Sequence, residues 1–502
     1  MKKSDRKNLK NRARRINWRL RPRNWQDQRT PFFRARDIIY QMGEKVKGVV
    51  GGGIGALHNI AVRVGLVEAI NQSIPILKAH IPYHDSDHVL NIAYNVACGH
   101  TKLEEIEILR QDEGYMNMLG AQRIPDPTTA GDYLRRFTET SIEKLMDGIN
   151  QVRLRVWDRH PEFKEEEGII DTDGTITPTY GKKKEGMGYS YKGIWGYHPL
   201  LVSVANTREP LFIVNRPGNV VSHHDSVKWI DKAIDLAKQG FKSVLLRGDT
   251  DFALSKEFDR WTDEGVGFIF GYDAKQNLIS LAETIPAGQW KELKRRAKYT
   301  IKTEPREKRG DTKEKIVEEK EWDRLRLKRE EIAEIEYRPT SCKKTYRLVV
   351  LRKTIEILRG QQNLFDETKY IFYITNRWDL KIEEVVWHAN QRCNQENLIE
   401  QLKNGVNALR LPVHDLVSNW AYMVIASLAW TLKAWFAMVL PKRESMARVL
   451  AMDYKTFLHT IILIPCLVVN SSRRIIIRIV GYTKGIKWLF QAVGRAKTLF
   501  QT

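Results

Sequence analysis

Two acidic residues, Asp171 and Asp173, end an apolar run that begins at Gly168 and has the composition of a buried strand. Side chains alternate between the faces of a strand, so the two carboxylates point to the same side. Neighbouring carboxylates repel each other and are costly to bury. This pair therefore needs a metal ion, a basic partner or solvent.

Two further acids can join this pair. Asp249 ends a predicted strand in LLRGDTDF, and Glu396 lies on a predicted helix after the last apolar strand. In a doubly wound or RNase-H-like sheet the first and fourth strands are neighbours, so Asp173 and Asp249 would face each other and the helix would bring Glu396. Oxygen ligands without a Cys or His motif suit hard cations. We therefore predict that Asp173, Asp249 and Glu396 bind metal, with Asp171 as the alternative first ligand.

The predicted metal site suggests phosphoryl-transfer chemistry. Two Mg²⁺ ions about 3.5–4 Å apart would stabilise the attacking and leaving oxygens of an in-line displacement, and Mn²⁺ should substitute. Arg392 lies four residues before Glu396 and Lys403 seven after it, so one helix face would carry all three. Arg392 and Lys403 would then reach nearby phosphates. The alternatives are solvated acids and a plain intrahelical salt bridge.

The elements that must position these residues follow from strand and helix patterns along the chain. Residues 168–275 show three strands, a helix, a strand, a helix and a strand, which is the opening order of an RNase-H-like fold. We predict an α/β RNase-H-like catalytic core with an inserted β-rich module, flanked by helical N-terminal and C-terminal regions. The predicted segments are a basic DNA-binding arm (1–37), a helical DNA-binding or dimerisation domain (38–165), the first part of the core (166–275), the inserted module (276–368), the last strand and Glu helix (369–410) and a C-terminal helical region with a hairpin (411–502).

Composition favours a nucleic-acid partner. The 502 residues include 83 Lys and Arg against 61 Asp and Glu, a net charge of +22, which suits a long polyanion. A basic protein without such a partner, or one that binds anionic membrane, remains an alternative. The aromatic content, with 14 Trp, 18 Tyr and 16 Phe, excludes wholesale disorder. The 4 cysteines show no CxxC spacing, so neither a zinc finger nor a disulfide framework is supported, and a reducing cytosol fits. With a DNA partner, we expect a cytoplasmic protein associated with the nucleoid.

Two basic segments are candidate DNA contacts. Residues 1–25 hold eleven Lys and Arg against the single acid Asp5, which predicts a flexible arm that orders on DNA. Lys182 and Lys183 follow the first strand and could hold a phosphate backbone. A solvated tail and a solvated turn are the alternatives. The arm residues chosen as DNA contacts are Arg12, Arg14, Arg15 and Arg19.

Residues 420–441 form the most membrane-like run, long enough to span a bilayer. Lys433 lies within it, and its tryptophans are spread along it rather than gathered in two belts. We therefore predict a buried helix in a large core and no membrane partner. The N-terminus lacks the apolar segment of a signal peptide.

Several motifs occur together in one order: DTDGT, RPGN, LLRGDTDF, ITN and R-x3-E-x6-K. In this order they resemble the bacterial insertion-sequence DDE transposases, specifically the insertion sequence thirteen-eighty group. The resemblance implies that Asp173, Asp249 and Glu396 are the catalytic triad, with Asp173 preferred because the family's first acid precedes a residue and a Thr. Arg392 and Lys403 match the basic members of the family's Y-R-E-K signature. Its Tyr falls at Ala389, and Asp251 stands where the family commonly has Gly.

The resemblance implies a transposase that binds the terminal inverted repeats of its element as a homodimer or larger assembly. It would hydrolyse a phosphodiester with Mg²⁺ and transfer the freed 3′-OH, either to the opposite strand as a hairpin or to target DNA, without a nucleotide cofactor. Trp322 could stack on a base flipped from the DNA end. A hydrolysis-only metal-dependent nuclease and a non-catalytic sequence-specific DNA-binding protein are the alternatives.

Overall fold

The computed structural model describes residues 3–19, 48–78, 83–179, 184–294, 323–359, 362–471 and 474–500. The fold is mixed α/β and divides into two compact units. We call Phe163–Gly174 with Val221–Glu396 the sheet unit, and the remainder the helical unit. The predicted contacts Lys182, Lys183 and Trp322 lie outside the described residues, as do the side chains of Arg12, Arg15 and Arg19.

Three parallel strands form the centre of the sheet unit. Glu167–Gly174, which we call the Asp173 strand, pairs with Ser243–Gly248, the Asp249 strand, and this in turn pairs with Gly267–Tyr272. Helices Ser226–Gly240 and Phe258–Asp263 connect them, with short 3₁₀ turns at Thr250–Phe252 and Ser255–Glu257. Parallel neighbours need such crossovers. The expectation that the Asp173 and Asp249 strands are neighbours is confirmed.

Three long strands continue the sheet beyond Gly267–Tyr272. Gln362–Thr375 pairs with it antiparallel, followed outward by Tyr346–Arg359, Asp323–Tyr337 and the short edge strand Lys291–Glu292. Helix Gln276–Glu283 and the 3₁₀ turn Ala287–Gln289 precede them. The boundary predicted at residue 368 falls inside Gln362–Thr375. Its charged first half and apolar second half form one continuous strand.

Helix Ile382–Asn390 covers one face of this sheet. Its apolar residues Ile382, Val385 and Val386 are buried against the strands. Burying such side chains contributes about 1.5–3 kcal/mol each, which fixes the helix on the sheet. The strand residues of this core are Leu245, Ile269, Ile332, Val349, Leu351 and Tyr373.

The helical unit contains most of the helices. Strands Leu200–Val204 and Glu209–Val214 form an antiparallel hairpin, and Cys466–Ser471 with Arg474–Ile479 form the predicted C-terminal hairpin, with Gly48–Val49 paired beside it. A small sheet joins Thr177–Pro178, Trp195–Tyr197 and Gly188–Tyr189 in that order. The helices are Lys3–Arg19, Ile54–Arg63, Leu66–Ser73, Asp85–Ala97, Ile106–Gln111, Glu113–Leu119, Pro127–Leu134, Glu139–Trp157, Leu416–Met438, Arg443–Leu450, Tyr454–Phe457 and Ile486–Leu499, with 3₁₀ turns Leu103–Glu105 and Pro161–Glu165 and a π-helical turn Leu458–Ile462.

Helix Leu416–Met438 is the one helix among the described residues that is long and apolar enough to cross a membrane, and its apolar window is entirely buried inside the protein. The tryptophans are spread along the helix because the indole N–H group of each one donates to an acceptor within residues 208–213. Trp435 donates to the buried Glu209, which also accepts from Arg153 at 3.0 Å. Lys433 donates to the Leu450 carbonyl at 3.0 Å, and burial lowers its pKa to about 7. These contacts are those of a core helix.

Part of the predicted N-terminal arm is helical. Lys3–Arg19 forms a helix, and Arg14 is exposed on it. This stretch contains neither Gly nor Pro, and its Lys, Arg and Leu residues are good helix formers, which explains the helix.

Candidate active site

Asp173 and Asp249 lie at the carboxyl ends of two adjacent parallel strands. Asp173 is the next-to-last residue of its strand, and Asp249 directly follows the end of its own. Burial raises the pKa of Asp173 to about 7, and the nearby negative charge of Asp249 adds to the shift. Burial also raises the pKa of Asp249, with Asp251 as a further cause. The two carboxylates therefore repel each other in a site that solvates them poorly.

Arg392 lies among three carboxylates. Its Nη1 is 3.5 Å from Asp173 Oδ2 and 3.9 Å from Asp249 Oδ2, and its Nη2 is 3.6 Å from Glu396 Oε1. These distances are longer than a charge-assisted hydrogen bond, which is about 2.7–2.9 Å. One guanidinium thus offsets the charge of all three predicted acids without pairing closely with any of them.

Asp171 has a different partner. Arg247 lies directly opposite it on the Asp249 strand and binds both its carboxylate oxygens, at 2.7 and 2.8 Å. The third contact of this guanidinium is the His388 carbonyl, at 3.2 Å. Burial raises the pKa of Asp171 and the charge of Arg247 opposes that shift. Both carboxylate oxygens of Asp171 are therefore bound by a protein cation.

The same guanidinium joins the elements that carry the acids. Asp171 lies two residues before Asp173, Arg247 lies two residues before Asp249, and His388 belongs to the helix that ends just before Arg392. Burial, together with the charge of Arg247, lowers the pKa of His388 to about 4, so its ring is neutral. Sequence reasoning missed Arg247. Arg247 precedes Asp249 by two residues, just as Asp171 precedes Asp173 on the adjacent parallel strand. This matching spacing could have predicted the pair.

The helix predicted to carry Arg392, Glu396 and Lys403 on one face is interrupted. Ile382–Asn390 ends before Arg392, Cys393–Glu400 carries Glu396, and a π-helical turn, Gln401–Gly405, carries Lys403. A π-helical turn holds an extra residue, so Lys403 is no longer two α-helical turns beyond Glu396. The predicted single helix is therefore replaced by two helices and a π-helical turn, and the shared face of Lys403 stays a prediction. Within the helical unit, its Nζ donates to the Ile176 carbonyl at 3.1 Å.

The donor atoms of the candidate site suit a hard divalent cation. Among the residues that the structure describes, no group of three His, Cys, Asp or Glu stands close enough together to hold a metal ion. Asp173, Asp249 and Glu396 nevertheless contribute oxygen atoms only, and they already share one cation in Arg392. Carboxylate oxygen is what Mg²⁺ and Mn²⁺ bind. The three acids therefore fit such an ion if it replaces the guanidinium and draws them together.

Two further positions bear on the site. Asp251 is exposed, and its backbone N–H donates to Asp249 Oδ1 at 3.0 Å, so the turn after the strand orients that carboxylate. In the helical unit Lys184 directs its Nζ to the carbonyls of Leu411 and Val413. That lysine supports a loop of the protein.

Comparison with known proteins gives one family match. A family model described as "Transposase DDE domain group 1" matches residues 42–498. The cryo-EM structure of the piggyBac transposase synaptic complex with hairpin DNA is 9% identical over 82% of this chain and 81% of that chain, with a TM-score of 0.35. A likeness at that score is too weak to support an inference. No curated protein matches the chain.

Proposed function

Because this chain belongs to the family of transposase DDE domains, group 1, we propose that it is a transposase that cuts and rejoins DNA at the ends of its own element. The observation that carries the proposal is the cluster of Asp173, Asp249 and Glu396 around one guanidinium at the carboxyl ends of parallel strands. The finer assignment is to the insertion sequence thirteen-eighty group, with an RNase-H-like core. The order of the motifs in this sequence supports that assignment.

The three acids would hold Mg²⁺ or Mn²⁺, with Asp173 rather than Asp171 as the first ligand because Arg247 occupies both oxygens of Asp171. When bound, the ions supply the positive charge that activates an attacking oxygen and stabilises the leaving one. The raised pKa of Asp173 means that its carboxyl group holds a proton part of the time at neutral pH. Ligand formation therefore releases that proton. Arg392, freed from the acids, would then bind a DNA phosphate.

Strand cleavage and strand transfer would use the same residues. Both are in-line displacements at phosphorus, first by water and then by the freed 3′-OH, and the number of phosphodiester bonds is conserved in the second. The net charge of +22 supports binding to duplex DNA, here the terminal inverted repeats and the target. We propose a homodimer or larger assembly that pairs two ends, in the cytoplasm beside the nucleoid, with no nucleotide cofactor and no membrane partner.

The test uses a labelled fragment that carries the inverted repeats flanking the gene, incubated with purified protein and Mg²⁺ or Mn²⁺. We expect Asp173→Asn, Asp249→Asn and Glu396→Gln each to reduce cleavage and joining on the order of 10³-fold, because each removes a charged metal ligand. DNA binding should persist in all three. The matched control is Asp251→Asn, which removes an exposed acid from the same turn and should change the rate less than about threefold.

The outcomes separate the proposal from its rivals. Cutting without joining would identify a hydrolysis-only nuclease. Binding by the wild-type protein without metal-dependent cutting would identify a non-catalytic DNA-binding protein. Cutting that survives Asp173→Asn but not Asp171→Asn would move the first ligand to Asp171.

A further inference from the structure

A hairpin in the helical unit exposes three large aromatic side chains within seven residues of sequence. We call residues 188–197 the aromatic hairpin; its strands are Gly188–Tyr189 and Trp195–Tyr197. Tyr189 is 56% exposed, Tyr191 76% and Trp195 53%. Leaving large aromatic rings in water forgoes much of the stabilisation that their burial would give. Such a cluster indicates a binding surface.

The turn of the aromatic hairpin has a defined conformation. Gly193 donates to the Ser190 carbonyl at 2.9 Å and has a φ of +71°, which favours glycine. Ile194 donates its N–H to Ser190 Oγ at 3.1 Å, and Ser190 donates its own to the Ile194 carbonyl. Ser190 is buried beneath this turn. Tyr191 is therefore presented on a fixed loop, which lowers the entropy that binding would cost.

The base of the hairpin is packed tightly onto its neighbours. A Cβ on Gly196 would lie 2.1 Å from the Thr177 carbonyl oxygen, and one on Gly218 would lie 2.3 Å from that of Gly196. Glycine is the residue that lets these backbones approach so closely. The hairpin therefore holds its exposed rings on a rigid support, although its strands are only two and three residues long.

The exposed rings combine two features that unpaired nucleotides require. Tyr189 and Trp195 are cross-strand partners whose rings meet edge to face at 5.3 Å, and they form one aromatic surface. Lys192 Nζ lies over the Tyr191 ring, 5.4 Å from its centre, which places a positive charge next to an exposed aromatic ring. Bases stack on such rings whatever their identity, and a neighbouring lysine binds the phosphate.

We propose that the aromatic hairpin is a stacking platform for one or two unpaired bases of DNA, with Lys192 at an adjacent phosphate. Charge favours this occupant over a second protein, because the chain carries +22 overall and Lys192 lies in the hairpin itself. The role predicted for Trp322 would then fall to residues of the hairpin. The proposal rests on the proposed function, in which the protein binds cleaved DNA ends.

The test measures binding of the full-length protein in EDTA to a fluorescein-labelled 20-nucleotide oligo(dT) and, separately, to a blunt duplex of the same length. We expect Tyr191→Ala to weaken oligo(dT) binding about tenfold, and Tyr191→Ala with Trp195→Ala to weaken it further. Tyr191→Phe should bind as the wild type does, because it keeps the ring. Duplex binding should change less than about twofold, since paired bases cannot stack on the platform.

The matched control is Trp378→Ala, which removes a tryptophan that is 54% exposed in the sheet unit. Circular dichroism confirms that each variant is folded. Unchanged oligo(dT) binding by the double variant would overturn the proposal, as would an equal loss on duplex DNA. A halved mass of the double variant in light scattering, with oligo(dT) binding intact, would also overturn it and assign the hairpin to a contact between copies of the chain. Because no cutting is measured, failure here is distinct from failure of the catalytic proposal.

Discussion

Two arginines lie beside acids of the same strand, and they are bound in opposite ways. Arg247 is 2% exposed and forms a two-pronged ion pair with Asp171, which is 1% exposed. Arg392 is 26% exposed and stands 3.5–3.9 Å from Asp173, Asp249 and Glu396. We call the Arg247–Asp171 pair closed, because loss of its guanidinium would leave a buried carboxylate without a partner. We call the cluster around Arg392 open, because its guanidinium is partly exposed and can be exchanged for another cation. The contrast distinguishes one acid that is held in a buried ion pair from three acids that share one loosely held guanidinium.

The largest expected effect tests the closed pair. Arg247→Met leaves the Asp171 carboxylate buried without a partner, which should lower the free energy of unfolding by about 3–5 kcal/mol in urea titrations. Arg392→Met, at the open cluster, should lower it by no more than about 1 kcal/mol, because its partners are looser and partly solvated. Asp171→Leu combined with Arg247→Met should recover most of the loss. Equal costs at the two arginines would abolish the distinction.

A second prediction concerns pH in the absence of divalent cations. The pKa of Asp173 rises on folding from 3.8 to about 7, so the folded protein favours the protonated acid. Its contribution to stability is full below pH 3.8 and is lost as the pH rises through 7. Asp173→Asn, which cannot ionise, should therefore be about 2–4 kcal/mol more stable than the wild type at pH 8, and close to it at pH 4.

Urea titrations of the wild type and the Asp173→Asn variant at pH 4, 6 and 8 measure this difference. Asp171→Asn is the control at the closed pair. It should destabilise the protein at pH 8, because it weakens the partner of the buried Arg247. A wild-type protein as stable as Asp173→Asn at pH 8 would show that the open cluster carries no unfavourable charge.

The smallest effect concerns exchange of the cation. If Arg392 competes with a metal ion for the three acids, Arg392→Gln should bind Mn²⁺ about tenfold more tightly, or about 1.4 kcal/mol. Electron paramagnetic resonance of free Mn²⁺, without DNA, measures the affinity. The control is Arg260→Gln, which removes a half-buried arginine that pairs with Asp231 at 3.0 Å. Weaker Mn²⁺ binding by Arg392→Gln would mean that the guanidinium assists the site rather than competing for it.

Much of the sheet unit could be predicted from sequence because its signals are local. The apolar runs before Asp173 and Asp249 specify strands, and their adjacency follows once the order of strands and helices is assigned to an RNase-H-like sheet. The break at Arg392 could not be predicted, because the helical pattern continues through it without Gly or Pro. The π-helical turn at Lys403 left no sequence signal either.

The distinct roles of Asp171 and Asp173 were also beyond the local pattern. Both face the same side of one strand, as alternation requires. What distinguishes them is the residue opposite: Arg247 pairs with Asp171, whereas Asp173 lies beyond the paired part of the ladder. That difference depends on register, which a single strand does not encode.

The long strand Gln362–Thr375 has a mechanical consequence. Fully extended, its fourteen residues span about 46 Å. Its ladder with Tyr346–Arg359 is in uninterrupted register from Phe365 to Thr375, and its last residues pair with Gly267–Tyr272, the neighbour of the Asp249 strand. A hydrogen-bonded ladder resists bending within the plane of the sheet, so this strand is mechanically stiff. Force applied at the start of the strand would be transmitted to its last residues, which lie one strand away from the Asp249 strand.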